Sequence, residues 1–229
     1  MIQQPQFPNT MKTKLTSEIL LATLMMLPFM FLAMIWSQLP AQIPGHYGVD
    51  GTADRYDPKE QLALVMAAVT LFVYLVLRFV PRFDPRRNLN TELYGKIRLL
   101  ITLFWAVFLT GFWYVSWKGV APETLNQLVT LAVGVLFAGL GNLMNSLKPS
   151  YFVGIRTPWT LDSETVWRRT HHFAARLFVG GGLLVIASSW VVPASLGPIV
   201  LIGVPVLVAV ITVWYSYRCF QQEKARQLG

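Results

Sequence analysis

The chain has 229 residues, 54% of them hydrophobic and only 13% charged. A soluble domain carries about 25% charged residues. This composition, with a mean hydropathy of +0.49, therefore excludes an ordinary water-soluble domain and points to lipid as the solvent. The net charge of +8 does not indicate nucleic acid, because that reading needs a basic face on a folded soluble domain.

Residues 1–16 form a polar tail. The first apolar run, Ile19–Trp36, contains Pro28 and approaches the roughly 20 residues needed to cross a bilayer core. It is too long for a typical signal-peptide core, and Ser37-Gln38-Leu39-Pro40 offers no small-x-small cleavage site, so it is expected to be a retained span. Residues 38–61 follow as a loop in which Ile43–Val49 and Thr52–Tyr56 flank Asp50-Gly51, a dipeptide suited to a tight hairpin turn. His46, Asp50 and Asp54 are a conceivable metal set. The turn already accounts for Asp-Gly, and no metal is expected there. The second run, Leu62–Leu77, reaches spanning length if Phe79 and Val80 are included and Arg78 snorkels, completing a two-span unit over 17–80.

Residues 81–98 are a basic loop, with Pro81 and Pro85 among arginines, suited to anionic headgroups. The runs Leu99–Trp117, Leu125–Leu147, Leu177–Val192 and Leu196–Tyr217 then form a four-span unit over 99–218, followed by a tail, 219–229. Pro198 and Pro205 are expected to kink the last span. The expected fold is an all-α polytopic membrane protein with six transmembrane helices and a small hairpin after the first. Lys and Arg mark cytoplasmic loops. Loop 38–61 sets Arg55 and Lys59 against Asp50, Asp54, Asp57 and Glu60, whereas 81–98 and 148–176 are basic. Both termini are therefore expected in the cytoplasm and the hairpin outside.

The segment Tyr151–Leu161 is unusual for a connection, being dense in aromatics, Arg and Pro. Pro149, Gly154 and Pro158 interrupt regular structure. Thr160 or Asp162 can then cap a helix carrying Glu164 in its first turn and a Glu164–Arg168 pair. Val166, Thr170, Phe173 and Leu177 share one face, so this helix is expected to run into the fifth span, where Gly180-Gly181-Gly182 permits close approach. Arg156 offers a bidentate fork for phosphate or carboxylate. The plainer reading is an interfacial anchor on lipid phosphate. His171 and His172 point about 100° apart on a helix and cannot share a metal. His171 lies four residues after Trp167, a spacing that allows stacking.

Catalytic signals are thin. No apolar run contains Asp, Glu, Lys or His, which argues against proton-coupled transport. Ser188-Ser189 has no histidine on a neighbouring span, and the single Cys219 excludes an intramolecular disulfide. No enzymatic activity, catalytic residue, cofactor or metal is expected.

Two stretches resemble the SdpI family of bacterial immunity proteins. One is Gly141-Asn142, Lys148-Pro149, Tyr151-Phe152-Val153-Gly154-Ile155-Arg156-Thr157-Pro158-Trp159-Thr160-Leu161, Trp167 and Thr170-His171. The other is Leu39-Pro40, Ile43-Pro44, His46-Tyr47, Gly51, Asp54-Arg55-Tyr56 and Lys59, similar to a small domain of unknown function that opens many members. Ser150 stands where members usually have asparagine.

The resemblance implies a multi-pass protein of the bacterial plasma membrane that protects its cell from a secreted peptide toxin. It also implies that toxin-loaded protein holds a small winged-helix repressor at the membrane, with no direct nucleic-acid contact. Candidate partner-binding residues are then Asn142, Tyr151, Gly154, Arg156, Thr157, Pro158, Trp159, Trp167, Thr170 and His171, with Pro44, His46, Asp50, Gly51, Asp54 and Arg55 in the other loop. The alternatives are a transporter or channel for small molecules or lipid headgroups, and a headgroup enzyme using Arg156, Glu164 and His171. Oligomeric state is open.

Overall fold

The computed structural model describes residues 15–48, 52–84, 91–119, 122–193 and 196–228. Among the described residues seven α-helices occur in chain order: α1 (Leu15–Ile35), α2 (Lys59–Phe79), α3 (Thr91–Lys118), α4 (Pro122–Met144), the short α5 (Pro158–Asp162), α6 (Glu164–Val191) and α7 (Gly197–Leu228). Among the described residues six helices are long and apolar enough to cross a membrane, by length and composition, and α5 is the exception. Between α1 and α2 lie strands β1 (Gln42–Tyr47) and β2 (Ala53–Pro58), paired antiparallel with Ile43 opposite Asp57 and Pro44 opposite Tyr56. The expected turn at Asp50-Gly51 lies outside the described residues.

The two ends of the bundle are built differently. At the hairpin end, Ile43 of β1 is 1% exposed and packs with Leu32, Ile35, Leu62, Phe112, Trp113 and Leu125, so the sheet plugs the ends of α1 to α4. Lys59 holds the first turn of α2 there by donating to the carbonyls of Trp36 and Leu39, at 2.9 and 3.2 Å. Most of α2 is exposed, with only Leu62 and Thr70 buried, as befits a lipid-facing helix. Thr70 Oγ1 accepts from Trp105 Nε1 at 2.8 Å, tying α2 to α3.

The closest helix pair is α4 with α6. A Cβ placed on Gly182 would stand 2.5 Å from Ala138 N and 2.6 Å from Gly134 O, and one on Gly141 would meet Val179 N at 2.8 Å. Small residues at this crossing let the backbones touch, which drives association where lipid is as apolar as the side chains. Of the three consecutive glycines, Gly182 performs this role. Gly181 faces Val204 and Val208 of α7, and a Cβ on Gly180 would meet nothing within 4 Å.

Several local expectations change. The cap of α6 is Ser163, whose hydroxyl accepts from Val166 N at 3.2 Å, rather than Thr160 or Asp162. Glu164 and Arg168 form no ion pair among the described residues. Pro198 occupies the first turn of α7, where its missing N–H costs nothing, and only Pro205 lies inside that helix. Residues expected as a tail continue α7, which at 32 residues is about 48 Å long and exceeds a hydrocarbon core of about 30 Å.

Candidate functional site

The signature loop between α4 and α6 is folded around one stacked pair. Trp167 and His171, one turn apart on α6, lie face to face with ring centroids 4.0 Å apart, and both are buried. Their remaining polar atoms are used by the loop. Trp167 Nε1 donates to Leu147 O at 2.8 Å, and Ile155 N donates to His171 Nε2 at 2.9 Å. His171 Nδ1 lies 2.9 Å from Trp167 O, a carbonyl that can only accept. The ring therefore carries its proton on Nδ1 and presents Nε2 as an acceptor.

Gly154 passes over this pair with φ +113°, a conformation side chains rarely adopt, and a Cβ there would fall 2.6 Å from His171 Nε2 and 2.8 Å from Trp167. Backbone geometry and close approach thus both demand glycine. Before it, the buried Ser150 accepts from the N–H groups of Phe152 and Val153 at 3.1 and 3.2 Å and donates to Asp84 Oδ2. That bond joins the loop to the segment after α2. After it, Thr157 and Thr160 cap α5 reciprocally: Thr157 Oγ1 accepts from Thr160 N, and Thr160 Oγ1 accepts from Thr157 N. Pro158 fills the first helical position of α5, where no N–H is required.

α7 closes the site from the other side. Trp159 Nε1 donates to Ser216 Oγ at 2.7 Å, its ring meeting Tyr217 edge-on, while Ser163 donates to Glu223 at 2.6 Å. Arg156 donates from Nη1 to Tyr151 O at 2.8 Å, bracing the two arms of the loop, and is otherwise exposed. Tyr151, Phe152 and Pro158 are exposed beside it. The result is a rigid frame with an aromatic and guanidinium rim.

The sequence-predicted residues therefore divide. Gly154, Thr157, Trp159, Trp167 and His171 are interior parts of the frame, and Pro158 begins α5. Tyr151 and Arg156 belong to the rim. Thr170 is fully buried on α6, and its hydroxyl finds no partner among the described residues. Asn142 is exposed near the end of α4 and shares no hydrogen bond with the loop, whereas its neighbour Gly141 is in the α4–α6 crossing. At the far end, Pro44, His46, Asp54 and Arg55 lie on the two strands. His46 Nδ1 stands 2.7 Å from Asp54, and Arg55 pairs with Asp57 at 2.9 Å. Asp50 and Gly51 lie outside the described residues. No group of three or more metal-ligating side chains occurs among the described residues.

Sequence reasoning missed a second polar centre at the same end as the loop. Glu18 of α1 is 8% exposed, and Arg98 of α3 grips it bidentately at 2.6 and 3.1 Å. Arg78 of α2 pairs with the same carboxylate, and Tyr74 donates to it at 3.1 Å. Arg78 was expected to snorkel, Arg98 ends the stretch read as a basic loop, and Glu18 immediately precedes the first apolar run. Glu18 is in the first turn of α1, Arg78 in the last turn of α2 and Arg98 two turns into α3, so one carboxylate ties three helices together. Glu18, Arg98 and His171 all lie just outside the apolar runs, at the ends of the helices that carry them, and are buried there. The only sequence signal was a lone acid in the first turn of an apolar run.

Fold and site define a multi-pass helical membrane protein, with a hairpin at one end and a framed loop at the other. Residues 146–216 match the SdpI/YfhL protein family, and residues 23–71 match a Domain of unknown function (DUF1648). Along the chain the segment of unknown function comes first and the SdpI/YfhL segment second, and the resemblance to the SdpI family is found. It is 23% identical over 196 residues to Immunity protein SdpI of Bacillus subtilis (strain 168), covering 86% of this chain and 92% of that relative. No solved structure matches.

Proposed function

We propose that this is a non-enzymatic immunity-type protein of the bacterial plasma membrane, protecting the cell that makes it from a secreted membrane-active peptide. The carrying observation is the alignment with Immunity protein SdpI along 86% of the chain, beside the matches of residues 146–216 and 23–71 to the two family segments. In this reading the hairpin faces outside, where the peptide arrives, and both termini and the framed loop face the cytoplasm. Charge placement supports that orientation, since 81–98 and 148–176 carry the excess of Lys and Arg.

The exposed rim of Tyr151, Phe152, Arg156 and Pro158 then serves as the contact for a cytoplasmic partner, a small winged-helix repressor held at the membrane. A surface of aromatic and Arg residues on a preordered frame loses little entropy on binding. The test is to delete the gene and expose the cells to membrane-active peptides secreted by related strains. Survival should fall on deletion and return when the chain is supplied in trans. Equal survival with and without the chain across such peptides overturns the reading.

A further inference from the structure

Phe72, Leu75, Val76 and Phe79 follow the i, i+3, i+4, i+7 spacing of one helix face. All four are exposed on α2, which buries only Leu62 and Thr70. This stripe runs to the end of the bundle opposite the hairpin and stops at two guanidinium groups. Arg78 lies 6.0 Å from the centroid of the Phe79 ring and Arg82 lies 5.0 Å from it, so both border the last residue of the stripe. Charge is unbalanced there. Arg78 pairs with Glu18, but that carboxylate is shared with Arg98, which grips it through both Nη atoms. Arg98 Nε, although buried, finds no acceptor among the described residues. Arg82 is exposed and makes no ion pair among the described residues. The next carboxylate along the chain, Asp84, is 2% exposed and accepts from Ser150 of the signature loop.

One carboxylate against two guanidinium groups leaves an excess positive charge at the end of an otherwise apolar span, and Arg82 adds a second. Arginine stays charged and offers planar N–H forks that match phosphate oxygens. The side chain of Arg78 is 29% exposed, so part of it still reaches the surface. We infer that Arg78, Arg82 and the stripe above them form a binding site for a phospholipid of net negative charge. Its phosphate lies on the two arginines and one acyl chain lies along Phe72, Leu75, Val76 and Phe79. A zwitterionic lipid sets its own cation beside these arginines and leaves their excess charge uncompensated. Free phosphate meets the guanidinium groups but has nothing to lay on the stripe. The inference does not depend on the immunity reading, and the two can fail separately.

The test uses the full chain in phosphatidylcholine nanodiscs holding a trace of phosphatidylglycerol with a diazirine in one acyl chain. Label should be enriched at residues 72–79 over Met26, Met30 and Met34, which are exposed on α1. Unlabelled phosphatidylglycerol should compete for it, where added phosphatidylcholine or inorganic phosphate does not. Arg82→Gln alters an exposed side chain and should lower labelling about fivefold, the worth of one basic contact at an anionic surface. Arg78→Gln/Arg82→Gln should lower it about twentyfold. Lys224→Gln/Arg226→Gln removes two charges from the exposed far end of α7 and should leave labelling unchanged. Unchanged labelling in Arg82→Gln, or an equal loss in the α7 variant, overturns the site. Competition by phosphatidylcholine equal to that by phosphatidylglycerol does the same. Competition by inorganic phosphate, or crosslinking of residues 72–79 to a second copy of the chain in place of lipid, overturns the lipid as occupant.

Discussion

The Nε2 atom of His171 accepts the main-chain N–H of Ile155 at 2.9 Å, and this bond fastens the signature loop to the helix that follows it. His171→Ala removes the acceptor and the stacking surface of Trp167 together. A buried N–H left without a partner costs about 1–3 kcal/mol. The melting temperature of the detergent-solubilised protein should fall, and the Ile155 amide should exchange with deuterium much faster. His171→Phe keeps a ring against Trp167 and should show the fast exchange with a smaller loss of melting temperature. Equal exchange in all three proteins would remove His171 from this role.

Gly154→Ala should be harsher than its size implies. The substitution imposes a Cβ at φ +113° and drives it against His171 and Trp167. Backbone strain of this kind costs about 1–3 kcal/mol before the overlap is counted. Limited proteolysis should open the loop between residues 150 and 157 while the spans remain protected. A loop as resistant as the unaltered one contradicts this account.

Glu18 stands between Arg98, which is 4% exposed, and Arg78. Removing one partner of a buried pair typically costs about 3–5 kcal/mol, because the other charge is stranded. Glu18→Leu should therefore sharply reduce the amount of folded protein recovered. Glu18→Leu combined with Arg98→Met should recover much of that loss. Thermal unfolding of the single and double variants checks the coupling, and strictly additive losses would refute it.

Gly180 and Gly182 are two residues apart and should answer substitution in opposite ways. Gly180→Ala meets nothing within 4 Å and should shift stability by under about 0.5 kcal/mol. Gly182→Ala must push α4 away from α6, and overpacking of this sort costs about 1–3 kcal/mol. Unfolding of the two variants side by side measures the difference.

The rim should separate function from stability. Tyr151→Ala and Phe152→Ala alter exposed side chains, and such surface changes usually stay within about 0.5 kcal/mol. If the rim is the cytoplasmic contact proposed above, co-purification of the partner repressor should drop at least tenfold with melting unchanged. Undiminished co-purification in the double variant would displace the contact from the rim.

Legibility followed the range of the interactions. The six apolar runs, the hairpin and the continuous helix through Thr170 and Phe173 were readable because each depends on composition or on periodicity within a few residues. The stacking of His171 on Trp167 was readable for the same reason, as a spacing of four on one helix. Thr157 and Thr160 cap α5 within a single turn, whereas the residues expected to cap α6, Thr160 and Asp162, lie inside α5 and Ser163 caps α6 instead. Nothing local says that the chain breaks at Ser163 before helix resumes.

The rest depended on contacts between distant residues. Asp84 meets Ser150, Glu18 meets Arg98, and Trp159 meets Ser216 across separations of 57 to 80 residues. No pattern along the chain encodes such meetings. They follow from which helix ends converge, and that depends on the close crossing of α4 with α6 and on the hairpin closing the opposite end. The sequence alone determined the solvent of this protein, its number of spans and its family signature, since lipid selects composition directly. Only the tertiary structure decided which charges are buried together and which signature residues form the frame rather than the rim, because both depend on the faces that packing turns inward.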